Sequence, residues 1–133
     1  MPAINQYEQN YKILEEILGD LTKLPEYLKL KSGGFMDLNM DNLGNNRIAL
    51  SHNYEQNGDL IPDPDMEIRI LPELKAIEAL SYQDTYGYQA VYPEPGKVNI
   101  RAKQKLNMFL SHWLKNLRDQ GFKRQIDTEK TAE

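Results

Sequence analysis

Residues 47–70 read RIALSHNYEQNGDLIPDPDMEIRI, and the fold turns on how that stretch divides. Ile48, Leu50, His52 and Tyr54 fall on one side of an extended chain and Ala49, Ser51 and Asn53 on the other, the two-residue period of a strand. Met66, Ile68 and Ile70 alternate with Glu67 and Arg69 in the same way, giving a second strand. Between them lies an acidic, turn-rich loop. Asn57-Gly58 is the pairing that a tight turn with positive φ prefers, and Pro62 and Pro64 fix φ and remove backbone donors.

Upstream, Tyr7, Tyr11, Leu14, Leu18 and Leu21, with Ile13 and Ile17 alongside, recur at helical spacing, which predicts an amphipathic helix from Gln6 to about Gly19. Pro25 discourages its continuation. The segment PEYLKLK then places Leu28 and Leu30 on one face of a first strand. FMDLNMDN sets Met36, Leu38 and Met40 against Asp37 and Asn39, a half-buried antiparallel strand. Residues 42–46 form a turn of residues that tolerate positive φ.

Downstream, residues 76–83 fit neither period. With YGYQAVY (residues 86–92), they are read as two more strands around an Asp84-Thr85 turn, ended by Pro93-Glu94-Pro95-Gly96. From about Asn99 to Arg118, one helical stripe collects Ala102, Leu106, Phe109, Leu110, Trp113, Leu114 and Leu117, with Gly121 as terminator. The predicted fold is therefore α+β: an antiparallel sheet of about five or six strands with the N- and C-terminal helices packed on one face. One domain is expected over residues 1–122, with residues 123–133 as a frayed tail.

Composition narrows the function. The chain has 133 residues, 40% hydrophobic and 27% charged, which are globular values. It has no cysteine, which excludes disulfides, thiolate zinc sites and cysteine nucleophiles. No apolar run reaches the roughly 18 residues that span a bilayer, and the N-terminus lacks a signal-peptide pattern, so a cytoplasmic protein is expected. Residues 1–96 carry sixteen acidic and seven basic side chains, net −9, and residues 97–133 four and nine, net +5. An acidic body with a basic C-terminal segment argues against general polyanion binding and leaves room for one local basic contact.

Candidate chemistry is sparse. Glu55, Asn57, Asp59, Asp63 and Asp65 offer oxygen ligands of the kind hard cations take. The run from Asn53 to Gly58 echoes the start of a calcium loop, but the first ligand is Asn, the closing acid would fall on Pro64, and the flanks are strands. Acidic side chains that cap turns and meet solvent are the more economical reading. His52, two residues before Tyr54 and three before Glu55, would make a base with Glu55 or Asp59 as its orienter; without HExxH or GxSxG, a satisfied structural histidine accounts for it better. Arg101, Lys105, Met108, His112 and Lys115 line the polar side of the last helix, as an ordinary solvated face does. They form the weakest candidate, a nucleic-acid contact. Tyr82, Tyr86, Tyr88 and Tyr92 would stack a planar ligand, although Tyr86, Tyr88 and Tyr92 are better read as filling one face of the sheet. No Walker loop or dinucleotide fingerprint is present, and no cofactor is expected.

Three segments carry a resemblance. SHNYEQNGDLIPDPDMEI (residues 51–68) resembles the HYYEQNGDLMxDPEM signature of an uncharacterised bacterial family of domains of unknown function. SYQDTYGYQAVY (81–92) resembles its YxQDxxGxYQ segment, and FLSHWLKNLRDQGF (109–122) its FxxxWxxNLxxQGF ending. Asn53 departs from an aromatic position, and Ile61-Pro62 from a Met and an often basic residue. The resemblance implies an association with plasmids, phages and conjugative elements and assigns no catalytic residue. The combined reading is a small non-catalytic binding protein of a mobile element, with His52, Tyr54, Glu55, Asn57, Asp59, Asp63 and Asp65 as contact residues. The alternative is a metal-dependent hydrolase or nuclease-like enzyme using residues 55–65 with His52.

Overall fold

The computed structural model describes residues 5–56 and 59–124, with the side chains of residues 53–63 left aside. Helix α1 (Gln6–Leu18) is followed by strands β1 (Tyr27–Leu30), β2 (Leu38–Gly44), β3 (Arg47–Gln56), β4 (Asp59–Leu71), β5 (Ala76–Asp84) and β6 (Gly87–Ala90), and helix α2 (Ile100–Asp119) closes the chain. The six strands pair antiparallel in sequence order. This is the predicted α+β arrangement, with both helices on one side of the sheet.

Local chemistry sets the ends of the elements. Asn5 caps α1 by accepting from the Glu8 N–H at 2.9 Å, and the Glu8 side chain returns the bond to the Asn5 N–H. Asn99 caps α2 through the Ala102 N–H at 3.0 Å. Between β2 and β3, Asn45 and Asn46 both hold positive φ, 54° and 59°, the conformation a two-residue hairpin needs to match strand twist. At the end of α2, Gly121 (φ 93°) reverses the chain and seats Phe122 in the core at 2% exposure. A side chain at Gly121 would also meet Ser32 Oγ, which donates to the Gln120 carbonyl.

The core lies between the sheet and the helices: Leu14, Ile17 and Leu18 from α1, Leu110, Leu114 and Leu117 from α2, and Leu38, Met40, Ile48, Leu50, Met66, Ile68 and Ile77 from the strands. Strand β6 pairs only with residues 81–84 of β5, so residues 76–80 have a bare edge on that side. Asn107 of α2 supplies a partner there: its Oδ1 accepts from the Ala79 N–H at 2.8 Å while its Nδ2 donates to the Lys103 carbonyl at 2.7 Å. The Val91 N–H donates to the Leu80 carbonyl at 2.9 Å.

Three expectations change. Strand β2 begins at Leu38, where β1 gives it a partner, so Met36 lies outside the ladder and is 48% exposed. The tyrosines after Asp84 do not fill a sheet face together: Tyr86 sits in the turn, 95% exposed, Tyr88 is 63% exposed, and Tyr92 follows the strand. Residues 59–65, read as loop, belong to β4. Beyond Phe122, the Arg124 N–H donates to the Ile17 carbonyl at 2.8 Å, and residues 125–133 of the expected tail lie outside the described residues. Among the described residues no helix is long and apolar enough to cross a membrane.

Asn107→Ala leaves a buried N–H on β5 unsatisfied, and urea denaturation should show a loss of about 1–3 kcal/mol. Gly121→Ala forces a left-handed φ on a β-carbon, with an expected loss of about 1–3 kcal/mol.

Candidate functional site

The ladder between β3 and β4 outruns its neighbours. Pairing of β2 with β3 ends at Leu38 and His52, and pairing of β4 with β5 ends at Asp65 and Gln83. The β3–β4 ladder continues through Asn53 with Pro62, Tyr54 with Ile61, Glu55 with Leu60 and Gln56 with Asp59. A two-stranded arm therefore projects past the sheet by about 13 Å, at about 3.3 Å per residue. Its root is irregular: the register shifts between Ser51 and Asn53, so that Asp63 and Pro64 together face His52, and such bulges bend and twist a strand. Prolines are tolerated in this half of β4 because no β5 residue asks for a hydrogen bond there.

His52 sits on the helix-covered face, where it is buried. Its ring packs between Trp113 and Phe122, with centroids 5.7 and 5.9 Å away. Nδ1 lies 3.0 Å from the Asp37 carbonyl. A carbonyl only accepts, so Nδ1 carries the proton in this contact.

Asp65 belongs to the other face. It pairs with Ser51, the β3 neighbour whose side chain points away from the helices. Across that helix-free face the register sets Tyr27, Asp41, Ala49, Glu67 and Ser81 in one row, and Lys29, Asn39, Ser51, Asp65, Gln83 and Tyr88 in the next. Partial burial, and then the Asp41 and Glu67 carboxylates, hold the Asp65 carboxyl above its ordinary range. Glu67 is paired with Arg47 at 3.1 Å.

The predicted contact residues are thus divided. His52 and Asp65 project from opposite faces and do not converge. Asn57 lies outside the described residues, as do the side chains of Tyr54, Glu55, Asp59 and Asp63. Among the described residues, no group of three or more acidic or histidine side chains is placed to hold a metal ion. On α2, Arg101, Lys105 and His112 are exposed and Lys115 is half-buried. Lys105 also lines a hollow of about 220 Å³ with Tyr82, Gln89 and Phe109. Asp41, Glu67 and Asn39 were not candidates in the sequence. Asp41 and Asn39 come to Asp65's side of the sheet only through the pairing of β2, β3 and β4, which the pattern of one strand does not contain, whereas Glu67 stands two residues along the same strand.

The architecture defines a small α+β protein: an antiparallel meander covered by helices on one face, with a two-stranded arm. The chain belongs to a family defined by a domain of unknown function, DUF6908, whose family model matches residues 9–123, from within α1 to beyond α2. No curated protein and no solved structure matches it.

Asp65→Asn tests the electrostatics of the helix-free face. With the folded-state carboxyl raised above 3.8, the folded protein binds more protons than the unfolded chain between 3.8 and the raised value. This group's contribution to stability therefore falls as pH rises through that window. The variant should melt higher than the parent at pH 7, and the gain should vanish below about pH 3.8, where both states hold the proton.

Proposed function

We propose that this protein is a small, non-catalytic accessory protein of mobile genetic elements, acting in the cytoplasm through protein–protein contact made by the β3–β4 arm. The observation that supports this reading most is the projection of four paired positions beyond both neighbouring strands. A two-stranded ribbon has no core of its own, and neither β2 nor β5 pairs with its outer edges, the kind of strand edge that strand-addition partners use, although Pro62 and Pro64 contribute no N–H there. The sequence there, NYEQNGDLIPDP (residues 53–64), is more polar than a core requires and rides on strands anchored in a rigid sheet. The association with mobile elements rests on the resemblance of the same stretch to a family signature.

The triple change Glu55→Ala, Asn57→Ala and Asp59→Ala should leave the circular dichroism spectrum and melting temperature near those of the parent while abolishing recovery of the partner in affinity purification. Unchanged recovery would remove the arm from the interface. The metal-hydrolase alternative has less support, since His52 and Asp65 lie on opposite faces. Its test is a melt in chelator and then in calcium, magnesium, manganese or zinc. An ion at 100 times its Kd would stabilise by about 2.7 kcal/mol. No rise is expected, and an ion-specific rise lost in Asp59→Asn would establish the alternative.

A further inference from the structure

The arm has two outer edges, and they differ in what their backbones offer. Along an antiparallel strand, successive residues turn their N–H and C=O groups to opposite sides. The Ile70 N–H donates to the Asn46 carbonyl at 2.7 Å, so even-numbered residues of β3 face β4 and odd-numbered ones face away. Pro62 agrees with this count. It stands opposite Asn53, and a residue without an N–H fits where β3 asks nothing of it. In the arm, Tyr54 and Gln56 therefore bond across to Ile61 and Asp59, while Asn53 and Glu55 each turn a donor and an acceptor outward. On the other edge Leu60 and Pro62 face outward, and of these only Leu60 has an N–H. The edge on the β2 side is equipped to take another strand, and Pro62 blunts the opposite one.

A second observation lies beside the equipped edge. Strand β2 pairs with β3 as far as Leu38 and His52. The Asp37 carbonyl then accepts from His52 Nδ1 at 3.0 Å, and the ladder ends one position short of Asn53. Just before this point, Phe35 and Met36 are 50% and 48% exposed. Phe35 is held at this end of the sheet, its ring 6.5 Å from that of Phe122, which packs on His52. Two large apolar side chains thus stand half uncovered where the edge of β3 opens.

We propose that the outer edge of β3, at Asn53 and Glu55, receives an extended segment of a partner protein by strand addition, with a large apolar side chain of that segment covering Phe35 and Met36. This deepens the reading of the arm as a protein-contact surface and rests on it. The incoming strand takes up the line that β2 leaves at Leu38, about 4.8 Å from β3. Its main chain answers the outward donors and acceptors, and the apolar contact supplies selection. A helix has already spent its main-chain groups on itself and cannot answer this edge.

The test uses a fluorescein-labelled eight-residue peptide that alternates valine and threonine around one phenylalanine, titrated with the full chain and followed by anisotropy. Glu55→Pro removes an outward N–H, leaves the β3–β4 bonds in place, and should weaken binding about tenfold. Leu60→Pro makes the same change on the other edge and should stay within twofold of the parent. Phe35→Ser/Met36→Ser should also weaken binding. The same peptide N-methylated at every residue keeps its side chains but not its donors, and should fail to bind the parent, a result that does not depend on how any variant folds. Binding of the methylated peptide, equal losses in the two proline variants, or failure of the parent to bind would overturn the proposal. So would a chain that dimerises by itself and loses the dimer in Glu55→Pro, since a second copy would then hold the edge. If the triple alanine variant loses the natural partner while Glu55→Pro keeps it, the arm stands and strand addition falls; if both keep it, the arm itself is excluded.

Discussion

A sheet that ends in a four-residue strand leaves its neighbour's edge exposed to the interior, and the rest of this structure depends on how that edge is closed. Residues 76–80 of β5 carry backbone groups that β6 does not reach. Buried amides must find partners, and the answer comes from the far end of the chain, where Asn107 of α2 accepts from the Ala79 N–H. That bond fixes where α2 lies on the sheet, and with it the positions of Leu110, Trp113 and Leu114 over the strands. Helix α1 then packs against α2, and its fully buried Asn10 directs Nδ2 at the Asn107 carbonyl, 3.5 Å away. One asparagine thus links both helices to the strand that most needs them.

The two faces of the sheet divide the polar residues into separate roles. On the helix side His52 behaves as an aromatic filler with one tethered nitrogen, bounded by Trp113 and Phe122. On the open side Asp65 sits among acids. The bulge at Ser51 and Asn53 marks where the β3–β4 ladder leaves the sheet. The arm is thereby anchored at its root by a buried ring on one face and half-buried carboxylates on the other.

Much of the fold was legible because the two helices and the strands β3 and β4 each bury one side, and one-sided burial writes its period into the sequence. Strand β5 was read as a strand although its residues follow no clear period, and the missing period has a physical reason. A register shift between Glu67 and Ile68 leaves Leu80 extra, and Glu78 is tucked under Tyr92, whose hydroxyl donates to it at 3.1 Å. Residues 76–80 are therefore all buried and follow neither period. The tyrosines near β6 read as filling one face of the sheet because aromatic alternation usually does, yet among the described residues no further strand or helix covers Tyr88 at the sheet's edge. Acids and prolines in residues 59–65 signalled a loop, because single-sequence patterns do not reveal that a strand has outrun its neighbour and no longer needs those donors. The open-face cluster depends on alignment among β2, β3 and β4, which the Asn45-Asn46 turn helps to fix.

The two covering helices stand at opposite ends of the described chain, and this has a consequence during synthesis. All six strands are complete by Ala90, but their apolar face is not sealed until Phe122 has been added. At about 5–20 residues per second a ribosome needs about 2–6 s for the intervening segment. Until then Leu38, Leu50, Met66 and Ile68 lack the cover that α2 and Phe122 give them in the folded chain. Lys29 and Lys31 at the β1 end place charge where an unfinished sheet would otherwise recruit another strand, so the same edge that bounds the finished molecule guards the unfinished one.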